Sequence, residues 1–211
     1  MLVALVAVCA FSAVAASSAL ASPEWYVKKG GTYSKVKEAV KVKAAFGLEE
    51  IVVPEFGEKF GIKCKGTATG ELKSGGISDI SQIITGGVDC EKVDACEQLL
   101  EEGGVRPVNS PWQLELYKEG TEIRSKIVSS GSGTPEFIFW CKTWFSGETE
   151  VKTSLSTSTH MTNLASGFVE AAFDAKSAKV PWADGGKIEW KGPFLTIEPV
   201  EKSGVEAVKV E

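Results

Sequence analysis

Apolar and polar residues alternate singly along most of this chain, and almost nowhere with the wider spacing of an amphipathic helix. The densest apolar run beyond the N-terminus is Phe137 to Trp144, FIFWCKTW. Extended, it sets Phe137, Phe139 and Cys141 on one face and Ile138, Trp140 and Trp144 on the other. A strand apolar on both faces predicts the middle of a sheet covered on both sides. Trp112, Leu114 and Leu116 alternate with Gln113, Glu115 and Tyr117, a half-buried strand after Ser110-Pro111. From Val36 onwards, Val36, Val40, Val42, Ala44 and Phe46 take even positions, while Lys35, Lys37, Lys41 and Lys43 take odd ones. That lysine face reads as solvated and edge-protecting rather than as a binding site.

Further strands are predicted at Trp25 to Val27, Leu48 to Val53 (stopped by Pro54), Phe60 to Cys64 and within Ile77 to Val88. Others are predicted at Ile123 to Val128, Thr149 to Leu155, Phe168 to Phe173, Phe194 to Ile197 and Val205 to Val210. Val180-Pro181-Trp182 and Lys187 to Trp190 flank Asp184-Gly185-Gly186, which predicts a hairpin. Ser129 to Thr134 reads as a hairpin loop, Cys90 to Cys96 as an acidic loop or short helical turn, and Ser154 to Thr162 as an exposed edge or loop. Roughly 10–13 short strands make the chain all-β, an antiparallel β-sandwich or an open barrel.

The N-terminus changes the compartment. Residues 1–21 carry no charge, and an apolar core from Leu2 to Phe11 is followed by small residues ending Ala19-Leu20-Ala21. This predicts a signal peptide over 1–21, cleaved before Ser22, with a single all-β domain over 22–211. A division of that domain into layers 22–145 and 146–211 stays open. The alternative is an uncleaved anchor, and the membrane is then a partner only through that segment. The chain is expected to be secreted or at the cell surface. Four cysteines follow the leader, Cys64, Cys90, Cys96 and Cys141. An even number in an exported chain predicts two disulfides. Three pairings are open; the local Cys90–Cys96, with Cys64–Cys141 as the long tie, is the reading preferred. Zinc is weaker, for there is no Cys-x-x-Cys and a single histidine, His160, which reads as a solvated loop residue.

Charge and motifs remove several classes of function. The net charge is −5 and Lys and Glu interleave without a basic cluster, which speaks against nucleic acid as a partner. There is no nucleophile elbow, no zinc-protease helix motif and no phosphate-binding Gly loop, and no cofactor is expected. Six tryptophans offer the better lead. Trp182 and Trp190, flanking the last hairpin, are the candidate ligand-facing aromatics, able to stack on sugar rings or fill a partner's pocket.

Several segments, taken in order, form a set. They are Pro23 to Val27, Gly61 to Lys65 around Cys64, the pair Cys90 and Cys96, Pro111-Trp112, Gly120 to Arg124, the strand holding Cys141, and Phe173 to Ser177. Together they resemble a family of uncharacterised exported β-rich proteins from soil actinobacteria. The resemblance implies secretion, four ordered cysteines and no assigned activity, and it lends no catalytic residue. The expectation is an exported, non-catalytic binding or structural module of the cell envelope, its partner a wall polysaccharide or another envelope protein. The alternative is a secreted, glycosidase-like hydrolase using a carboxylate pair.

Overall fold

The computed structural model describes residues 22–48, 53–55, 58–83, 89–94, 98–99, 105–143, 147–155, 158–173, 179–181, 187–189, 193–201 and 203–211. The alternating segments become strands, in chain order β1 (Trp25–Lys29), β2 (Thr32–Lys35), β3 (Val40–Leu48), β4 (Val53–Glu55), β5 (Glu58–Leu72), β6 (Ile77–Ile83) and β7 (Asp89–Asp94). Then come β8 (Gln98–Leu99), β9 (Val105–Val108), β10 (Trp112–Glu119), β11 (Glu122–Ser129), β12 (Glu136–Thr143) and β13 (Gly147–Ser154). The chain ends with β14 (Ser158–Asn163), β15 (Val169–Phe173), β16 (Lys179–Pro181), β17 (Lys187–Glu189), β18 (Pro193–Pro199) and β19 (Ala207–Val210). The fold is all-β, as expected from the spacing.

Eight of these strands close on themselves. The order β3-β18-β15-β14-β11-β10-β6-β5 returns to β3, and every neighbouring pair is antiparallel. The sandwich or open barrel expected above is therefore corrected to a closed barrel. The physical reason is β3, which pairs β18 on one side (Ile197 opposite Ala44) and β5 on the other (Ala44 opposite Ala68). Closure satisfies the backbone N–H and C=O groups that an open sheet would leave along its edges. The strand predicted at Phe60 to Cys64 is longer than expected: β5 runs on to Leu72, and its first half continues out of the barrel to pair with β4 and β7. Pro54 does not stop its strand but lies within β4, which among the described residues pairs with β5 alone and so can spare a donor.

Alternation decides what fills the barrel. Val42, Ala44, Ala68, Leu72, Leu114 and Ile197 are buried inward, and the space they leave is a cavity of about 20 Å³, room for a single water molecule. The other face of each strand meets solvent. Lys41, Lys43, Glu71, Glu115, Arg124, Lys126, His160, Glu170 and Glu198 lie on it, the reverse of a barrel built to face lipid. Two hydroxyls inside the barrel satisfy one another, Ser125 and Thr159, their oxygens 2.6 Å apart and both fully buried. This overturns the reading of Ser154 to Thr162 as an exposed edge. Residues 158–163 are a wall strand, and His160 sits on it opposite Arg124 rather than in a loop. Likewise Asp89–Asp94 is a strand against β5, not a loop or a helical turn.

One end of the barrel is capped by the small sheet β19-β1-β2. Trp25, Val27, Val208 and Val210 are buried beneath it, each contributing about 2 kcal/mol of apolar burial. Asn163 fixes the cap to the wall: its Nδ2 donates to the Val210 carbonyl at 2.9 Å, and Val210 N donates to its Oδ1 at 2.8 Å. At the opposite end, the segment after β11 crosses to a second sheet of β13, β12, β8 and β9. The predicted Ser129 to Thr134 hairpin is thus a crossover, since β11 and β12 join different sheets. Phe137 and Ile138 are both buried, so the start of β12 is covered on both faces as expected. Phe137 meets the barrel through Trp112, the two rings edge-on with centroids 4.9 Å apart. The predicted hairpin is present as the antiparallel pair β16–β17.

Asp79 on β6 ties three segments together. It pairs with Lys73 and accepts a hydrogen bond from Gln113 Nε2 at 2.7 Å. The bond from Lys73, with Gln113 and against the cost of burial, holds its carboxyl below the usual aspartate value. A depressed pKa in the folded state stabilises above the unfolded value and is lost as pH falls through the folded one. Asp79→Asn should therefore lower the melting temperature by roughly 3 °C near neutral pH and leave it unchanged in strong acid. Thermal melts of both proteins across the acid range measure this; parallel curves at all pH values would contradict it.

Candidate functional site

Trp182, Trp190 and Cys96 lie outside the described residues, while Cys64, Cys90 and Cys141 are placed by their backbone on β5, β7 and β12. The register brings Cys64 opposite Cys90, and Cys141 opposite Leu99.

On the barrel wall, Arg124 is the centre of a closed polar network. Its Nε lies 2.7 Å from Glu119, one terminal nitrogen 2.8 Å from Glu122 and the other 3.4 Å from Ser158 Oγ. Tyr117 OH lies 2.5 Å from the same Ser158 hydroxyl, and His160 Nδ1 is 3.7 Å from Glu122. Register explains the cluster, because Tyr117 is opposite Arg124 and Arg124 opposite His160. Every charge in it has a partner, so it stitches β10, β11 and β14 together.

Among the described residues, an open concavity lies elsewhere, at the free edge of the cap. Val27, Val36 and Val40 floor a groove of about 330 Å³ that is rimmed by Lys29, Ser34, Lys35, Lys37 and Glu38. It forms because the chain leaves β2, buries Val36 under β1 and turns before entering β3; Val36 N donates to the Trp25 carbonyl at 2.8 Å. Lys35 is engaged, its ammonium 2.8 Å from Glu24. Burial pushes the Glu24 carboxyl up, but Lys35 and the N–H groups of Gly75 and Gly76 outweigh it and hold the acid below its ordinary value. Among the described residues, Lys29 and Lys37 have no carboxylate within ion-pair distance. The groove thus presents two uncommitted ammonium groups over an apolar floor, with Glu38 its one carboxylate. Such a surface suits an elongated anion.

Lys35 and Lys37 are exposed, as the alternation from Val36 predicts. What alternation does not carry is the break between β2 and β3 at residues 36–39, where Val36 is buried and its N–H donates to the Trp25 carbonyl. Next to the aromatic side of the cap, Lys209 Nζ lies 4.4 Å from the centre of the Tyr33 ring and 5.3 Å from that of Tyr26. Tyr33 is the large apolar side chain most open to solvent among the described residues.

The fold and site together define a side-chain-filled, capped antiparallel barrel with an external basic groove. No protein-family model, curated protein or solved structure matches the chain.

Proposed function

We propose that this chain is an exported, non-catalytic β-barrel module of the cell envelope that holds an acidic polysaccharide against its outer surface. The observation that carries the reading is the contrast between the two concavities. The cavity between Leu72, Leu114 and Leu195 has room for one water molecule, whereas the groove beside the cap offers about 330 Å³ with Lys29 and Lys37 at its rim. Among the described residues, the cavity between Leu72, Leu114 and Leu195 is too small for a small apolar ligand, which favours the outer surface. Hydrolysis by a carboxylate pair has one acid in the groove, Glu38, where two are required. Disulfides and a cleaved leader, both inferred from the sequence, fit the same exported role, as does the resemblance to exported actinobacterial proteins.

The interaction is electrostatic at its rim and therefore salt-dependent. The protein should be retained on immobilised polygalacturonate, released by about 0.5 M salt, and not retained on neutral dextran. Lys29→Glu with Lys37→Glu should weaken retention by at least ~10-fold, because two charges change sign along one groove. Equal retention of this variant and the parent, at matched circular dichroism, would refute the site.

A further inference from the structure

The backbone register bears on the covalent cross-links. Along β5 and β7, Phe60 is opposite Asp94, Ile62 opposite Lys92, and Cys64 directly opposite Cys90. Directly opposed residues of an antiparallel pair have Cα atoms about 4.5 or 5.5 Å apart, depending on the hydrogen-bonding site, and share one face of the sheet. Both separations fall within the roughly 4.4–6.8 Å that a disulfide spans. The local alternative is disfavoured by the same register. As extended strand, β7 carries Asp94 about 13 Å from Cys90, and Cys96 follows by only two residues. A Cys90–Cys96 bond would need the chain to double straight back along its own strand.

We propose that Cys64 and Cys90 form a cross-strand disulfide. Cys141, opposite Leu99 on β8, is then left to Cys96, which precedes Leu99 by three positions. The bond lies at the root of the segment of β5 that extends beyond the barrel, and it fixes β7 to that segment where no barrel strand supports it. Formation is thiol–disulfide exchange. One thiolate attacks an acceptor disulfide and expels one of its sulfurs as a thiol; the second thiolate attacks the mixed disulfide and expels the other. The acceptor, a low-molecular-weight or protein disulfide, takes up the two electrons, and the two protons pass to its departing thiolates.

The test is peptide mapping of the full chain after air-free oxidation with glutathione disulfide and blocking of residual thiols with iodoacetamide. Trypsin separates the four cysteines, since Lys63, Lys65, Lys92, Lys126 and Lys142 fall around and between them. The expected species is Cys64-Lys65 joined to the peptide 74–92, at the summed mass less two hydrogen atoms and lost on reduction. The variant Cys96→Ser with Cys141→Ser should give the same species. Cys64 joined to Cys141 or Cys96, Cys90 joined to Cys96, or Cys64 and Cys90 recovered carbamidomethylated or glutathionylated would each overturn the proposal. None of these results depends on whether the groove binds an acidic glycan.

Discussion

Trp112→Ala should destabilise the protein by about 4 kcal/mol, more than any other single truncation discussed. Trp112 is wholly buried, and its ring stands edge-on to Phe137, also wholly buried, at 4.9 Å. Its indole N–H donates to the Val108 carbonyl at 2.9 Å, so one side chain joins β10 of the barrel to β9 and β12 of the second sheet. Removing it leaves a cavity between β10 and the second sheet, beside the buried Phe137. Trp112→Phe separates the two contributions. It keeps most of the apolar volume and loses the donor, at an expected cost of about 1–2 kcal/mol. Urea unfolding monitored by circular dichroism measures both, and an alanine variant within 1 kcal/mol of the parent would mean that the two sheets do not share this core.

Gly76→Ala should cost about 3 kcal/mol, for a different reason. Gly76 closes the turn from β5 to β6 with φ +72°, a left-handed conformation that an L-residue adopts only at a penalty. A Cβ there would also lie 2.6 Å from the Pro23 carbonyl oxygen and 3.1 Å from Leu116 Cβ. Pro23 leads into the cap, so the turn and the cap must part. The neighbouring Gly75 N–H, which donates to Glu24 at 2.9 Å, would be lost with it. Amide exchange should therefore accelerate in β1, β2 and β19 before the barrel strands are affected. Uniform acceleration throughout would show that cap and barrel unfold as one unit, and unchanged exchange in the cap would contradict the contact.

Local pattern carried the strands and little of their partnership. Trp112 and Leu114 were legible as inward residues because each alternates with a polar neighbour, and Phe137 with Ile138 announced a doubly covered strand. Barrel closure was not legible. It rests on Leu195 opposite Phe46 and Ile197 opposite Ala44, partners far apart in the chain whose spacing records only which face they take. Thr159 misled for another reason: its hydroxyl has its partner, Ser125, on the neighbouring wall strand, so a pattern read one residue at a time scores as exposed what a pair makes burial-tolerant. Asp89–Asp94 misled through its charge, although its backbone is satisfied by the outlying half of β5. Of the site, Lys35 and Lys37 were visible as a charged face, but the groove exists only because Val36 is pinned under β1. The tryptophans singled out for ligand contact, Trp182 and Trp190, lie outside the described residues and leave the groove as the site that geometry supports.

On the proposed function, ligand is held outside the barrel, at the edge of its cap. Titrating isotope-labelled protein with oligogalacturonate and following backbone amide shifts tests it directly. Saturable shifts are expected at Lys29, Ser34, Lys37 and Glu38, with the lumen-facing Leu72, Leu114 and Leu195 unmoved. Shifts concentrated in the lumen or around Arg124, or none at any concentration, would contradict it.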